Sequence, residues 1–152
     1  MIEVRIEELE PMRVVSAFGF GVSPEPQAWD LIFSFAREHG IDPGEQRFFG
    51  FNNPNPSPGS PNYGYEQWMT VGQDVEVEPP LRIKQLSPGR YAVTRFTGLD
   101  HITDRWQALV RWCEEHEHRI SSEQERCLEE HLNPDETEPD KWTFDLHLGL
   151  GD

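Results

Sequence analysis

Two stretches of this chain carry side chains able to act on a bound molecule. The first is Arg126-Cys127-Leu128-Glu129-Glu130-His131-Leu132, where Glu129 stands between apolar Leu128 and Leu132 in a short extended run. A carboxylate so placed has its ionised form disfavoured by burial, and a bound cation restores it. The same spacing also fits a solvent-facing glutamate in an acidic stretch with Glu125 and Glu130. The second stretch is Tyr63-Gly64-Tyr65-Glu66-Gln67-Trp68-Met69-Thr70-Val71, which as a strand carries Glu66 and Trp68 together on one face. Phe48, Phe49 and Phe51 lie shortly before it. An aromatic wall with an embedded carboxylate suits a flat cation, through ring attraction of ~0.5–2 kcal/mol per contact and a desolvated charge pair. Taken singly, each ring also reads as core; as a set they exceed what a small core needs.

Other chemistry finds less support. His116-Glu117-His118 with Cys113 contains metal-donor types, but two histidines at i, i+2 on a helix point about 200° apart and share an ion poorly, so the stretch reads as a solvated helix end. There is no phosphate-binding glycine loop, no Gly-x-Ser-x-Gly elbow and no Cys-x-x-Cys pair. Nucleophilic Ser or Cys catalysis is therefore unsupported, and no cofactor or metal is expected.

The frame that must position these groups is one domain of 152 residues, with a net charge of −15 that repels duplex nucleic acid. Hydrophobic residues make up only 36%, yet five Trp and nine Phe supply one compact core. The amino terminus shows no signal peptide, and no apolar run is long enough to span a bilayer. Sparse cysteine without a secretory signal places reduced Cys113 and Cys127 in the cytoplasm.

An internal repeat organises this frame. A shift of 77 residues lays Arg5-Ile6-Glu7-Glu8-Leu9-Glu10-Pro11-Met12-Arg13 on Arg82-Ile83-Lys84-Gln85-Leu86-Ser87-Pro88-Gly89-Arg90, Gly21 on Gly98, Trp29 on Trp106 and Glu38-His39 on Glu115-His116. The same shift sets Tyr65, Gln67, Met69 and Val71 on Trp142, Phe144, Leu146 and Leu148, and Glu129 opposite Asn52.

Each unit opens with a strand pair or bent strand around a proline turn, at 2–9 with 13–20 and at 81–86 with 90–97. A helix follows, started in the first unit by a Ser23 cap and Pro24 and marked by Trp29, Ile32, Phe33 and Ala36. In the second unit the helix carries Ile102, Trp106, Leu109, Val110 and a core Cys113 on one face. Strands at 47–51 and about 63–71, and at 126–132 and about 142–150, complete the units. Alternation in the last strand predicts a sheet covered on one side.

The expected fold is α+β: two pseudo-twofold-related β-α-β-β repeats, about 2–75 and about 79–150, forming one antiparallel-sheet domain with a central ligand cleft. A groove between packed repeats is a standard place for a small-molecule site.

The order Leu86-Ser87-Pro88-Gly89-Arg90-Tyr91-Ala92-Val93, then Gly98, Trp106 and Leu109, then Leu128-Glu129-Glu130-His131-Leu132-Asn133-Pro134, resembles the GyrI-like small-molecule-binding family. Its relatives include the ligand-sensing domains of AraC-type and MerR-type multidrug-responsive regulators and stand-alone gyrase-inhibitory proteins. The resemblance implies two β-α-β-β halves around a cleft and binding of lipophilic, often cationic, compounds. It matches Glu129 to the family's acidic residue and puts His131 where the family has tyrosine. Tyr63-Gly64-Tyr65-Glu66 resembles the family's Tyr-Arg-Tyr-Asp, with the arginine missing and the acid one carbon longer.

The resulting expectation is a stand-alone, cytoplasmic module that captures an apolar cation, with Glu129 as counter-charge and Tyr65, Glu66, Trp68, Trp106, Phe51 and His131 in the ligand site. With no helix-turn-helix ahead of it, a transcriptional effect requires a partner chain. Two alternatives accompany it: hydrolysis of cyclopropane-containing alkylating compounds with Glu129 activating water, as some relatives do, and restraint of gyrase by charge mimicry.

Overall fold

Val, Ile, Phe and Tyr usage with period-two spacing forms strands, and the two apolar stripes at helical spacing form helices. In the computed structural model, which describes residues 2–151, these are β1 (Arg5–Leu9), β2 (Met12–Gly21), α1 (Pro24–Glu38), β3 (Phe48–Asn52), β4 (Tyr63–Thr70), β5 (Arg82–Leu86), β6 (Gly89–Thr97), α2 (Ile102–Glu115), β7 (Cys127–His131) and β8 (Thr143–Gly149). The class is α+β, and the strand pairings within each unit are antiparallel.

The chain divides into two units. A continuous unit, Met12–Leu86, orders its strands β3-β4-β2-β5. A split unit, made of the chain up to Pro11 and from Ser87 onward, orders them β1-β6-β8-β7. The opening strands thus do not form the local pairs open to them: β1 is registered on β6 and β5 on β2.

In the continuous unit, α1 buries Ala28, Ile32, Phe35 and Ala36 against Val15, Ala17, Phe48, Tyr65 and Met69. Pro24 sits in the first helical turn, where its missing N–H costs nothing. Ser23 occupies the cap position, but its hydroxyl makes no capping bond. Farther along, the Gln27 side chain accepts from the Phe20 backbone N–H at 3.3 Å and donates to the Phe20 carbonyl at 3.1 Å.

In the split unit, α2 buries Leu109 and Cys113 against Ala92, Phe96, Phe144, Leu146, Leu148 and Leu150. The last strand departs from the expected one-sided cover. Asp145 and His147, its polar alternates, are as buried as its leucines, at 3% and 0% exposure. Asp145 tolerates this because Arg95 Nε donates to it at 2.8 Å and Arg5 Nη2 at 2.7 Å.

The strand registers of the units correspond under two different offsets. The pairs Arg5↔Val93 and Arg82↔Ser16 are related by 77 residues. The pairs Cys127↔Leu148 and Phe48↔Met69 are related by 79. The difference arises after the helices, where nine residues separate Glu38 from Phe48 and eleven separate Glu115 from Cys127. An ungapped 77-residue alignment therefore misplaces β7 by two: Glu129 corresponds in register to Gly50, and Asn52 corresponds to His131. An even offset keeps every side chain on its face of the strand, so the apolar pattern conceals the error.

Candidate functional site

Glu129 lies on the α2 side of the split unit's sheet. Its register partner on β8 is Leu146, part of the core beneath α2. From α2, one turn before Leu109, the Trp106 indole N–H donates to Glu129 Oε2 at 3.0 Å. Two residues on, His131 shares that face and is 7% exposed. Its ring lies 5.1 Å from Trp142, edge-on, and 4.7 Å from Phe144.

Burial depresses the His131 pKa to about 4, only partly opposed by Asp135. The ring is therefore neutral near pH 7. The Asn133 backbone N–H points at Nδ1 at 3.3 Å, which leaves the proton on Nε2. Glu129, Trp106 and His131 are thus brought together: an oriented carboxylate, the donor that fixes it and an uncharged imidazole, with Phe96, Trp142 and Phe144 in the same apolar cluster.

The register explains why only one unit carries this arrangement. At Gly50, the counterpart of Glu129, an added Cβ would fall inside the van der Waals envelope of the Tyr65 hydroxyl. Tyr65 therefore fills in the continuous unit the space that a carboxylate occupies in the split one.

The remaining expected residues are distributed differently. Glu66, Trp68 and Phe51 do come together, on the face of the continuous sheet opposite α1, with Phe51 and Trp68 edge-to-face at 5.2 Å. Tyr65 is on the other face, in the α1 core, because odd and even residues of a strand point oppositely. It shares no wall with Trp68.

Glu66, expected as the carboxylate embedded in an aromatic wall for a cation, is already engaged by groups of the protein. It is 4% exposed and already accepts from Ser16 Oγ at 2.8 Å, Asn53 Nδ2 at 2.6 Å, Trp68 Nε1 at 3.1 Å and Lys84 Nζ at 2.8 Å. Burial pushes its carboxyl pKa up, but these four donors outweigh burial and hold it below the ordinary value. Glu66 is a compensated internal anion. Its partners Ser16, Asn53 and Lys84 escaped the sequence reading; only the alternation within 82–86, which sets Lys84 on the face opposite to Ile83, offered a signal.

At the end of α2, Trp112 stacks on His116 at 4.1 Å and on His118 at 5.5 Å, so these rings form an aromatic stack. Among the described residues no cluster of metal-ligand type occurs, and no helix is long and apolar enough to cross a membrane.

Residues 2–150 match the model of a family described as a GyrI-like small molecule binding domain. No match was found among curated proteins. Among solved structures, a complex of EcmrR with DNA superposes with a TM-score of 0.77 at 11% identity, over 99% of this chain and 57% of that one. This chain thus spans little more than half of the EcmrR chain. A structure described as a hydrolase from Listeria innocua gives a TM-score of 0.73 at 10% identity, over 98% of this chain and 92% of that one. SAV2435 bound to tetraphenylphosphonium gives 0.56 at 11% identity, over 99% and 94%. At these identities the likeness shows the fold.

Proposed function

Since the chain belongs to the GyrI-like small molecule binding domain family, we propose that it captures lipophilic organic cations at the α2 side of β7, with Glu129 as counter-charge. One observation carries this reading: the Trp106–Glu129 hydrogen bond at 3.0 Å, which holds a carboxylate in place beneath a helix and among aromatic rings. Glu129 is half-buried, and a carboxylate partly withdrawn from water attracts a cation more strongly than one in solvent, because the surrounding dielectric is lower. The rings of Trp106, Trp142 and Phe144 offer apolar surface and quadrupole attraction to a delocalised cation. His131, uncharged near pH 7, adds no competing positive charge. The tetraphenylphosphonium bound by SAV2435 is a compound of the class proposed.

The test is a titration with tetraphenylphosphonium, followed by tryptophan fluorescence and calorimetry. Removing one charged partner costs about 1.5–3 kcal/mol, so Glu129→Gln is expected to weaken binding by roughly ten- to a hundredfold. Trp106→Phe, which keeps an aromatic ring and loses the N–H, is expected to weaken it less. Equal affinity for wild type and Glu129→Gln excludes the counter-charge role.

A second reading, hydrolysis of a reactive electrophile, is favoured by the hydrolase description of one neighbour. It assigns Glu129 to water activation. Ring opening of a cyclopropane-containing alkylator, followed by mass spectrometry, separates it from capture. Turnover abolished by Glu129→Gln supports hydrolysis, and its absence in the wild type removes it.

A further inference from the structure

The exchanged strands β1 and β5 are near copies, sharing Arg, Ile, Leu, Pro and Arg at Arg5/Arg82, Ile6/Ile83, Leu9/Leu86, Pro11/Pro88 and Arg13/Arg90. They also dock in the same register. Leu9 pairs with Gly89 and Arg5 with Val93, while Leu86 pairs with Met12 and Arg82 with Ser16, each pair displaced from its counterpart by 77. If the two strands traded places, the result would be a pair of local hairpins. Leu9 would pair with Met12 around Glu10-Pro11, and Leu86 with Gly89 around Ser87-Pro88. The register that the units offer is thus that of a two-residue hairpin, yet neither hairpin forms.

We propose that Pro11, Pro88 and the Lys84–Glu66 ion pair bar the local hairpins and oblige the chain to exchange β1 and β5 between its units. Two-residue hairpins use turns with positive φ at the first central residue, and in the commonest type at the second as well. Proline holds φ near −65° and drives the residue before it into extended backbone. Glu10 and Ser87 therefore continue the strand direction instead of reversing it. Among the described residues the only non-glycine with positive φ is Glu117.

Charge adds selectivity where the copies differ. Lys84 of β5 is registered opposite Val14 of β2, and its ammonium lies 2.8 Å from the buried Glu66 carboxylate. The corresponding residue of β1 is Glu7, registered opposite Tyr91. In a β1–β2 hairpin Glu7 would take the place of Lys84 and set a second carboxylate beside Glu66, with the ammonium removed. The other unit discriminates less. Arg5 and Arg82 are the same residue type, so Asp145 would keep an arginine in either arrangement.

Disulfide trapping in the full chain tests this. Arg90→Cys faces Glu8→Cys in the exchanged arrangement and would face Gln85→Cys in the hairpin. Expected for the native turns is closure of E8C/R90C with Q85C/R90C remaining open, bonds being assigned by peptide mapping because Cys113 and Cys127 are present. In a chain with both turns changed to Asn-Gly (E10N/P11G and S87N/P88G) and the charges traded (E7K/K84E), Q85C/R90C is expected to close. Closure of Q85C/R90C with native turns overturns the proposal, as does its staying open in the redesigned chain while that chain unfolds cooperatively. If the redesigned chain does not fold, P11G/P88G decides: Q85C/R90C should close faster during refolding than with native turns, and equal rates overturn the proposal.

Discussion

Replacing Lys84 by methionine keeps the length of the side chain and removes its charge. Glu66 is 4% exposed and loses one of four donors, the only cation among them. Breaking a buried ion pair from one side costs about 3–5 kcal/mol, because the remaining charge stays buried. Here three neutral donors persist, from Ser16, Asn53 and Trp68, so the lower end, about 3 kcal/mol, is expected. The cost should depend on pH with a definite sign. The folded-state pKa of Glu66 lies below its unfolded value, which is about 4.3 for a free glutamate. Its stabilising contribution is therefore fully present above that value and is lost as pH falls through the folded pKa. In Lys84→Met the depression is relieved, so the gap between variant and wild type should be widest at neutral pH and narrow in acid. Urea unfolding at neutral pH and in mild acid measures both gaps. The double variant Lys84→Met/Glu66→Gln, which removes the stranded charge, should recover much of the loss. A gap independent of pH, or a double variant no more stable than Lys84→Met, would refute the assignment of Glu66 as an ionised, lysine-compensated anion.

Two further outcomes follow from the same electrostatics. His131 has its folded pKa depressed to about 4 by burial, so the unfolded chain takes up a proton first as pH falls. Stability should decline from about pH 6.5 down to about 4, by up to about 3 kcal/mol at that one site; His131→Phe should flatten the slope by that share and leave the part due to His147, whose pKa burial also lowers, and titration of the His131 ring near 6.5 by NMR would contradict the burial argument. Cys113 is fully buried, and burial pushes its thiol pKa up to about 11, whereas Cys127 is partly exposed. Thiol titration of the native protein at pH 8 should label Cys127 first and Cys113 only on unfolding; equal labelling rates would show that α2 opens readily.

Much of the architecture was legible from residue spacing alone. The stripe of Ile32 and Ala36 under α1 and that of Leu109 and Cys113 under α2 each declare a helix and its inward face, and the alternation of Phe144, Leu146 and Leu148 declares β8 and the residues it turns toward α2. The pairing of Trp106 with Glu129 was anticipated only as membership of one site; the direct bond depends on the helix sitting one side chain above β7. Two things escaped. The two-residue longer connection before β7 preserves strand parity, so an ungapped repeat matches just as well while shifting Glu129 from Gly50 to Asn52. The exchange of β1 and β5 could not be read either, since strand order depends on which of two similar surfaces a strand meets. Glu66 looked like a carboxylate open to a ligand because its partners Ser16 and Lys84 are distant from it in sequence.

The Gln27 carboxamide has a consequence for solubility. On the β5 side, β2 is paired only as far as Ser16↔Arg82, so Ala17–Gly21 presents a sheet margin there. The margin is flanked by exposed Phe18 and Phe20, with Val22 just past its end. Such a margin templates the addition of foreign strands and seeds aggregation. By bonding both the N–H and the carbonyl of Phe20, Gln27 acts as a one-residue surrogate strand. It occupies the place where an incoming peptide would begin to zip, so a helix side chain serves here as a guard against polymerisation.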